Sequence, residues 1–363
     1  MEKRLVSLDV LRGLTMLLLT LESTELFGVL GPALQGTAGY PLLTQFYHHP
    51  WHGLHLWDLV QPTFMFIAGT AMAFSLRKHR QEGMSWGQTF RKTLRRSGWL
   101  FFWGVLDYAV RKNGLSFELW DVLTQLSFTT LVTFLIIDWP VVAQILVSAI
   151  CLLLPEFLYR FISIPGFDQP FTDQHNFGNY MDLVLMHKIN NGGWVAINCI
   201  ATSAHTIWGA LAGRLLLSDK PGGEKLKWLL LSGVVLLLSG FGLDWTGITP
   251  IIKRIATSSF VLASGGWCLL FLAAAYWWVD LAGHRKYTQL FLIFGMNSIF
   301  IYLFFEIVAS RWFNDYVFAI TGGLLRIADI GGVGAEVIGS LSVFALETGM
   351  LYFLYQKKIF FKV

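Results

Sequence analysis

Four of the nine histidines of this 363-residue chain fall within eight consecutive residues, just before a long apolar segment. Imidazole is the side chain whose ordinary pKa lets it exchange protons near neutral pH, and it is also a common metal ligand. The cluster therefore indicates either proton transfer or metal binding. It consists of His48, His49, His52 and His55.

The spacing of the cluster favours a general base over a metal site. His48 and His52 are four residues apart, as helical ligands would be, but Pro50 between them interrupts a helix. No HExxH-type motif is present, so we expect no metal. Two interpretations stay open for each histidine: a polar cap at a membrane interface, or, for His48 or His49, a general base that Asp58 orients.

Further polar residues lie inside apolar segments, where charges are costly. Asp9 and Arg12 are three residues apart, and we predict an ion pair that neutralises both. Glu22 lies near the outward end of the same segment, where its carboxylate can reach the interface. Glu306 is an intramembrane carboxylate, which is a functional-site candidate by default. Asn297 is either a link between helices or a functional donor.

The composition identifies the elements that must position these residues. Apolar residues make up 55% of the chain and charged residues 14%, against about 25% charged in soluble domains. We predict an all-α, polytopic transmembrane bundle that forms a single domain over 1–363. A weak segment at 312–330 is re-entrant, interfacial or an eleventh span. The ten predicted spans are 5–31, 54–76, 93–110, 117–137, 141–159, 193–217, 226–243, 255–280, 288–309 and 334–355.

The positions of the basic residues predict the topology. Short loops rich in Lys and Arg stay cytoplasmic, and such a loop lies at about 77–92. Lys3 and Arg4 place the amino terminus on the same side, and the first apolar segment reads as a retained helix. The loops at about 32–53 and 160–192 then face outward. The net charge of +4 is explained by this bias, so no nucleic-acid partner is expected.

The basic loop and the cysteines have simple interpretations. The loop either serves only as a topology signal or also holds phosphates, because arginine offers forked donors to them. No Walker or Rossmann glycine pattern accompanies it. The three cysteines lie in apolar segments and predict small buried side chains without disulfides.

Several motifs resemble, in order along the chain, those of the membrane acyltransferases related to heparan-α-glucosaminide N-acetyltransferase. An asparagine that the family often has at the end of the first helix corresponds to Ser23 here. Matching stretches between 197 and 215 and Tyr302 add to the resemblance. The motifs are RLVSLDVLRG at 4–13, HHPWHGL at 48–54, WDLVQP at 57–62, FMFIAG at 64–69 and GMNS at 295–298.

The resemblance implies transfer of an acetyl group from cytosolic acetyl-CoA to an amino sugar or related glycan on the outer side of the membrane. The family's catalytic histidine lies three residues before a tryptophan, which makes it His48, as general base or acetyl carrier. Asp58 would orient its ring, and Asn297 or Ser23 would donate to the oxyanion. Further acceptor contacts are expected from Trp51, Ser23, Glu22 and Glu306, and CoA phosphate contacts from Arg77, Lys78, Arg95 and Arg96.

The resemblance also sets the expected location and the rival function. It implies a bacterial inner-membrane protein without the additional luminal region of the animal enzymes, in contact with the lipid bilayer; a homodimer is left open. The alternative is a proton-coupled transporter of a small solute that uses Glu306 and the histidine cluster as proton relays. Consumption of acetyl-CoA in the presence of an amino sugar separates the two.

Overall fold

The computed structural model describes residues 5–111, 114–286 and 288–361, and within them the chain is all-helical, with no β-strand. This confirms the predicted all-α class. Two further segments, Tyr276–Leu281 and Phe305–Phe313, are π-helical. The α-helices are α1 Val6–Ser23, α2 Leu26–Leu34, α3 Tyr40–Thr44, α4 Val60–Gln81, α5 Trp86–Ala109, α6 Val122–Ile136, α7 Val141–Phe161, α8 Phe177–Met186, α9 Asn198–Leu217, α10 Gly222–Trp245, α11 Ser258–Ala275, α12 Thr288–Gly295, α13 Ser298–Phe304, α14 Asn314–Ile327 and α15 Gly332–Gln356.

The chain forms two compact units, and unit 1 joins the two ends of the chain. Unit 1 comprises Met1–His48, His55–Trp57 and Ala275–Val363; unit 2 comprises His49–Leu54 and Asp58–Ala274. The histidine cluster is therefore divided between the two. The single domain over 1–363 stays a prediction.

Unit 1 is built on the packing of α1 against α12. A Cβ atom at Gly13 would overlap the backbone of Phe291, so only glycine allows this close approach. The predicted span 5–31 is two helices, α1 and α2, bent by 66° where Glu25 adopts a left-handed conformation. The bend was not predicted, since nothing in the apolar pattern marks it.

The predicted boundary in the second half of unit 1 was wrong. We ended a predicted span at 309 and left open whether 312–330 is re-entrant, interfacial or an eleventh span, but one helix continues through this region to Ile327. The break lies instead between α12 and α13, where the chain bends by 65°. Asn297 occupies this break, and its backbone is not helical.

Unit 2 has α4 and α9 at its centre, packed closely enough that their backbones touch. A Cβ at Gly69 would meet the backbone of Thr206, and one at Gly209 would meet that of Phe66. Helix α5 begins with a capping box in which Ser85 and Gln88 satisfy each other's backbone donors. The close contact between α4 and α9 fixes the positions of their ends, where the polar residues of unit 2 lie.

The described chain contains five helices long and apolar enough to cross a membrane, and up to seven if each bent pair counts as one span. It is an integral membrane protein of all-α class. The ten predicted spans also include α5, α6 and α9, which are not among these seven. The number of spans stays a prediction. Lys3 and Arg4, on which the predicted orientation partly rests, lie outside the described residues.

Candidate functional site

The histidine loop of unit 1 surrounds His48 with aromatic side chains. The His48 ring lies 6.3 Å from the Trp57 ring, centroid to centroid, at 60°. Tyr47 donates its hydroxyl to the Phe27 carbonyl. Nδ1 of His55 lies 3.0 Å from the Tyr47 carbonyl oxygen. The Tyr47 contact holds the segment before His48 to α2, and the His55 contact ties the residues on both sides of His48 together.

The other two histidines of the cluster belong to unit 2 and have separate partners. Nε2 of His52 lies 2.7 Å from an Asp244 carboxylate oxygen. The backbone N–H of His49 donates to Oδ2 of Asp58 at 3.2 Å. Gly53 has φ of +144°, and a Cβ there would clash with the His49 ring, so the loop requires glycine at this point. Among the described residues, no group of three His, Cys, Asp or Glu side chains could hold a metal ion.

Asp58 also faces a buried lysine that the sequence analysis missed. Nζ of Lys253 lies 3.5 Å from Oδ1 of Asp58, and the two side chains are only 7% and 1% exposed. The same ammonium lies 5.3 Å from the centre of the Trp194 ring. Burial lowers the pKa of Lys253 to about 8, although the Asp58 carboxylate opposes that shift. The role of Asp58 in orienting His48 stays a prediction.

A signal for Lys253 was present in the sequence. Lys253 and Arg254 lie in the loop between α10 and α11, which the predicted topology puts on the outer side. Two adjacent basic residues there run against the charge bias that determines topology, which suggests a local role. Arg254 donates to the Gly192 carbonyl at 2.6 Å.

Three loops of unit 2 meet at the same end of the unit, as the predicted topology requires. Trp51 donates its indole N–H to the Phe171 carbonyl at 2.8 Å. His52 reaches Asp244, and Arg254 reaches Gly192. We call this region the histidine-loop end of unit 2: Trp51, His52, Asp58, Phe171, Gly192, Asp244, Lys253 and Arg254.

Helix α4 connects the histidine-loop end to a cluster of arginines. Its 22 residues span about 33 Å, close to the roughly 30 Å of a bilayer's hydrocarbon core. Near its other end, Arg77 donates to the Leu217 carbonyl at 2.6 Å, and Arg80 pairs with Asp138. Arg214 of α9 donates to the Trp139 carbonyl at 3.0 Å.

These three arginines line one cavity of about 290 Å³, together with Asp138 and Ser218. We call this region the arginine end of unit 2. Of the four residues predicted to contact phosphates, Arg77 lines the cavity. Lys78 pairs with Glu82 at 3.7 Å on the exposed face of α4, and neither Arg95 nor Arg96, both on α5, is among the lining residues. Arg214 was not predicted, because this residue of α9 lies more than 100 residues after the basic loop.

The remaining predicted site residues all lie in unit 1. Asp9 and Arg12 form the predicted ion pair, at 3.6 Å. Both polar atoms of the Asn297 amide are engaged: Nδ2 donates to the Ile359 carbonyl and Oδ1 accepts from the Phe361 N–H, each at 3.0 Å. Asn297 thus links the α12–α13 break to the chain beyond α15, and its role as an oxyanion donor stays a prediction.

Ser23 leads to two residues that the sequence analysis did not select. Its hydroxyl donates to Glu347 of α15 at 3.1 Å, and its carbonyl accepts from the Asn314 side chain at 2.6 Å. Glu22 beside it is exposed, and Glu306 is half-buried in the π-helical segment, where its carbonyl accepts from Arg311 at 2.9 Å. Ser23 thus belongs to a polar cluster inside unit 1.

Comparison with known families decides the affiliation of the chain. Residues 4–208 match the model of a family described as a domain of unknown function, DUF5009. The chain belongs to the DUF5009 family. The match includes α1, the histidine loop, Asp58, α4 and most of α9; Arg214 and Lys253 lie beyond it.

A curated relative of this DUF5009 protein is named as an acetyltransferase. The chain is 23% identical, over 381 aligned residues, to a mouse protein named heparan-alpha-glucosaminide N-acetyltransferase. The alignment covers 88% of this chain and 56% of the mouse protein, so the chain spans about half the length of that relative.

Proposed function

We propose that this protein is a membrane acetyltransferase that moves an acetyl group from acetyl-CoA on one side of a membrane to an amino sugar or related glycan on the other. Its similarity to the mouse N-acetyltransferase over 88% of the chain supports a transferase. The structural observation that carries the proposal is the architecture of α4. One helix about as long as a bilayer is thick joins a basic cavity to the histidine-loop end.

The arginine end suits the donor. CoA carries a pyrophosphate and a further phosphate, and arginine binds phosphate oxygens through paired N–H donors. Arg77, Arg80 and Arg214 line the cavity of about 290 Å³, and Ser218 adds a hydroxyl. By the sequence-based topology this end faces the cytoplasm, where acetyl-CoA is made available. We therefore assign the CoA phosphates to Arg77, Arg80 and Arg214.

His48 performs the proton transfer in this proposal. The acceptor amine attacks the thioester carbonyl, a C–N bond forms and the C–S bond breaks. His48 accepts the proton that the amine loses and returns it to the departing thiolate, which leaves as CoA thiol. In the variant with an acetyl-enzyme, a ring nitrogen of His48 attacks the thioester carbonyl, an N–C bond forms and the C–S bond breaks, and the ring proton goes to the departing thiolate. The amine then attacks the acetyl-imidazole, the N–C bond to His48 breaks, and the imidazole takes up the proton that the amine loses.

Acetyl transfer by the purified protein tests this proposal. We expect detergent-solubilised protein to release CoA thiol from acetyl-CoA when glucosamine is present, with formation of N-acetylglucosamine measured by mass spectrometry. His48→Ala should lower the rate by about 10²–10⁴-fold, the range that general-base catalysis contributes. His49→Ala should lower it less, because its contact with Asp58 is made by the backbone.

An exposed histidine of the same unit provides the control. His284→Ala removes an imidazole of unit 1 outside the histidine loop and should leave the rate unchanged. Full activity of His48→Ala, or wild-type protein that releases no CoA thiol with any amino sugar, would contradict the proposal. The second outcome together with uptake of a solute by vesicles would favour the proton-coupled transporter.

A further inference from the structure

A carboxyl group lies buried in α15 without a basic partner. Glu347 is 1% exposed in a helix that is otherwise apolar enough to cross a membrane. Its Oε2 lies 3.1 Å from the Ser23 hydroxyl oxygen, whose one proton is shared with the Thr20 carbonyl at 2.9 Å, whereas its Oε1 is buried and has no hydrogen-bond partner. No lysine or arginine among the described residues forms an ion pair with it. Such a group is costly unless a proton or another cation accompanies it.

Asn314 contributes a second unsatisfied acceptor on the other side of Ser23. It is 2% exposed, its Nδ2 donates to the Ser23 carbonyl at 2.6 Å, and its Oδ1 is buried without a partner. It begins α14 directly after the π-helical segment Phe305–Phe313. Insertions of this type in helices are frequent at functional sites.

One further oxygen lies along the same face of α15. Ser340 is fully buried, its hydroxyl oxygen has no partner, and it precedes Glu347 by seven residues, which is two helical turns. Ser23 therefore contacts two buried side chains, Glu347 and Asn314. Each of them has one oxygen atom without a hydrogen-bond donor, and Glu347 is a carboxyl group. A group that donates several hydrogen bonds and carries positive charge would satisfy both oxygens and neutralise Glu347.

We propose that Glu347, Asn314 and Ser23 form a binding site for a protonated primary amine. An ammonium group has three donors and no acceptor, which matches the two unsatisfied oxygens and supplies the cation that Glu347 lacks. This inference rests on the proposed function in one respect: it takes the amine to be that of the acceptor amino sugar. The bound ammonium must first lose one proton, which the Glu347 carboxylate accepts, before the neutral amine attacks the thioester; the second proton, lost on amide formation, goes to His48. The site itself is defined by unit 1 alone.

Binding measurements without acetyl-CoA test the site separately from the transfer reaction. Purified protein in detergent is titrated by calorimetry with glucosamine, and with N-acetylglucosamine and glucose as ligands that lack the ammonium. We expect binding of glucosamine only. Glu347→Gln should raise its dissociation constant by at least about tenfold, since a charge-assisted hydrogen bond is lost. Glu336→Gln, at an exposed position of the same helix, should leave it unchanged.

A second variant keeps the proposal open to contradiction if Glu347→Gln does not fold. Asn314→Ala removes one acceptor and should weaken glucosamine binding severalfold in protein that remains monodisperse. Equal affinity for glucosamine and N-acetylglucosamine, or unchanged affinity in either variant, would overturn the site. So would stabilisation by sodium chloride alone with no effect of glucosamine, which would indicate an alkali-cation site.

The outcome distinguishes this site from the proposed activity. Glucosamine binding that depends on Glu347, in a protein that releases no CoA thiol, would retain the site and contradict the transferase. Acetyl transfer at the wild-type rate and with the wild-type KM for glucosamine in Glu347→Gln would contradict the site and retain the transferase. Loss of folding stability with unchanged glucosamine affinity would assign Glu347 a structural role only.

Discussion

The two ends of unit 2 differ in the burial of one ion pair each, although the histidine-loop end also has an exposed histidine, His52, in contact with Asp244. At the histidine-loop end, the side chains of Lys253 and Asp58 are 7% and 1% exposed. At the arginine end, those of Arg80 and Asp138 are 60% and 50% exposed, and the cavity beside them opens among three arginines. Both ends are joined by the same helix, α4, so the two regions can be compared directly.

The contrast indicates which end fixes geometry and which end captures a ligand. A buried ion pair holds its neighbours in one arrangement, because neither partner can leave without stranding the other. Arginines that are exposed, as Arg80 is, or half-buried, as Arg77 and Arg214 are, exchange a weak protein partner for a stronger anionic ligand at little cost. We therefore expect the histidine-loop end to respond to mutation through stability, and the arginine end through donor affinity.

Breaking one ion pair at each end gives the largest expected difference. Lys253→Met leaves the Asp58 carboxylate buried without its cation and should destabilise the protein by about 3–5 kcal/mol. Lys78→Met removes the partner of Glu82 at the arginine end and should cost about 0–1 kcal/mol. Thermal unfolding in the same detergent measures both; equal losses would remove the distinction between the ends.

Neutralising arginines sharpens the assignment of the donor site. Arg77→Gln with Arg80→Gln should raise the acetyl-CoA dissociation constant by about tenfold or more, since each charge-assisted contact contributes roughly 1.5–3 kcal/mol. Arg95→Gln with Arg96→Gln on α5 is the matched control, because neither residue lines the cavity. Calorimetry on monodisperse protein measures the affinities.

Salt and the α5 control decide what a loss of affinity means. Wild-type affinity should fall as salt is added, because partly exposed charges are screened over about 8–10 Å at physiological ionic strength. If the double substitution at Arg95 and Arg96 lowers acetyl-CoA affinity and the one at Arg77 and Arg80 does not, the phosphates bind at α5 and the cavity is not the donor site. If neither pair matters, the arginines act only as orientation signals.

A pH dependence of stability is the last difference that the histidine-loop end should show. Burial lowers the pKa of Lys253 to about 8 from its usual value of 10.5. Between these values the unfolded chain binds more protons than the folded protein, so stability rises with pH. We expect the unfolding temperature of the wild type to rise relative to that of Lys253→Met between pH 8 and 10.5. If the difference between the two unfolding temperatures does not change with pH, the ammonium is not buried.

Helix positions were largely predictable from the sequence, but the bends were not. Apolar segments predicted where most helices lie, because hydrocarbon-length runs leave few alternatives. The bends at Glu25 and Asn297 depend on tertiary contacts: Asn297 is held by the Ile359 and Phe361 backbone. The sequence shows Asn297 as a polar residue in an apolar segment, but the segment that it binds, at Ile359 and Phe361, is more than 60 residues away.

The candidate site was predictable only where its residues are close in sequence. The histidine cluster and Arg77 stand out locally. Lys253, Arg214 and Glu347 reach their partners only through folding, with Lys253 lying 195 residues after Asp58 in the chain. A basic residue on the predicted outer side and a carboxylate in a transmembrane helix were the available signals, and neither names its partner.

Sided acetyl transfer tests the central claim most directly. Protein is reconstituted into vesicles that contain glucosamine, and acetyl-CoA is added only outside. We predict that N-acetylglucosamine accumulates inside while CoA thiol appears outside, and that His48→Ala lowers both rates by about 10²–10⁴-fold. Transfer only when donor and acceptor share one compartment, or internal product formed equally by His48→Ala, would contradict a single chain that works from both ends.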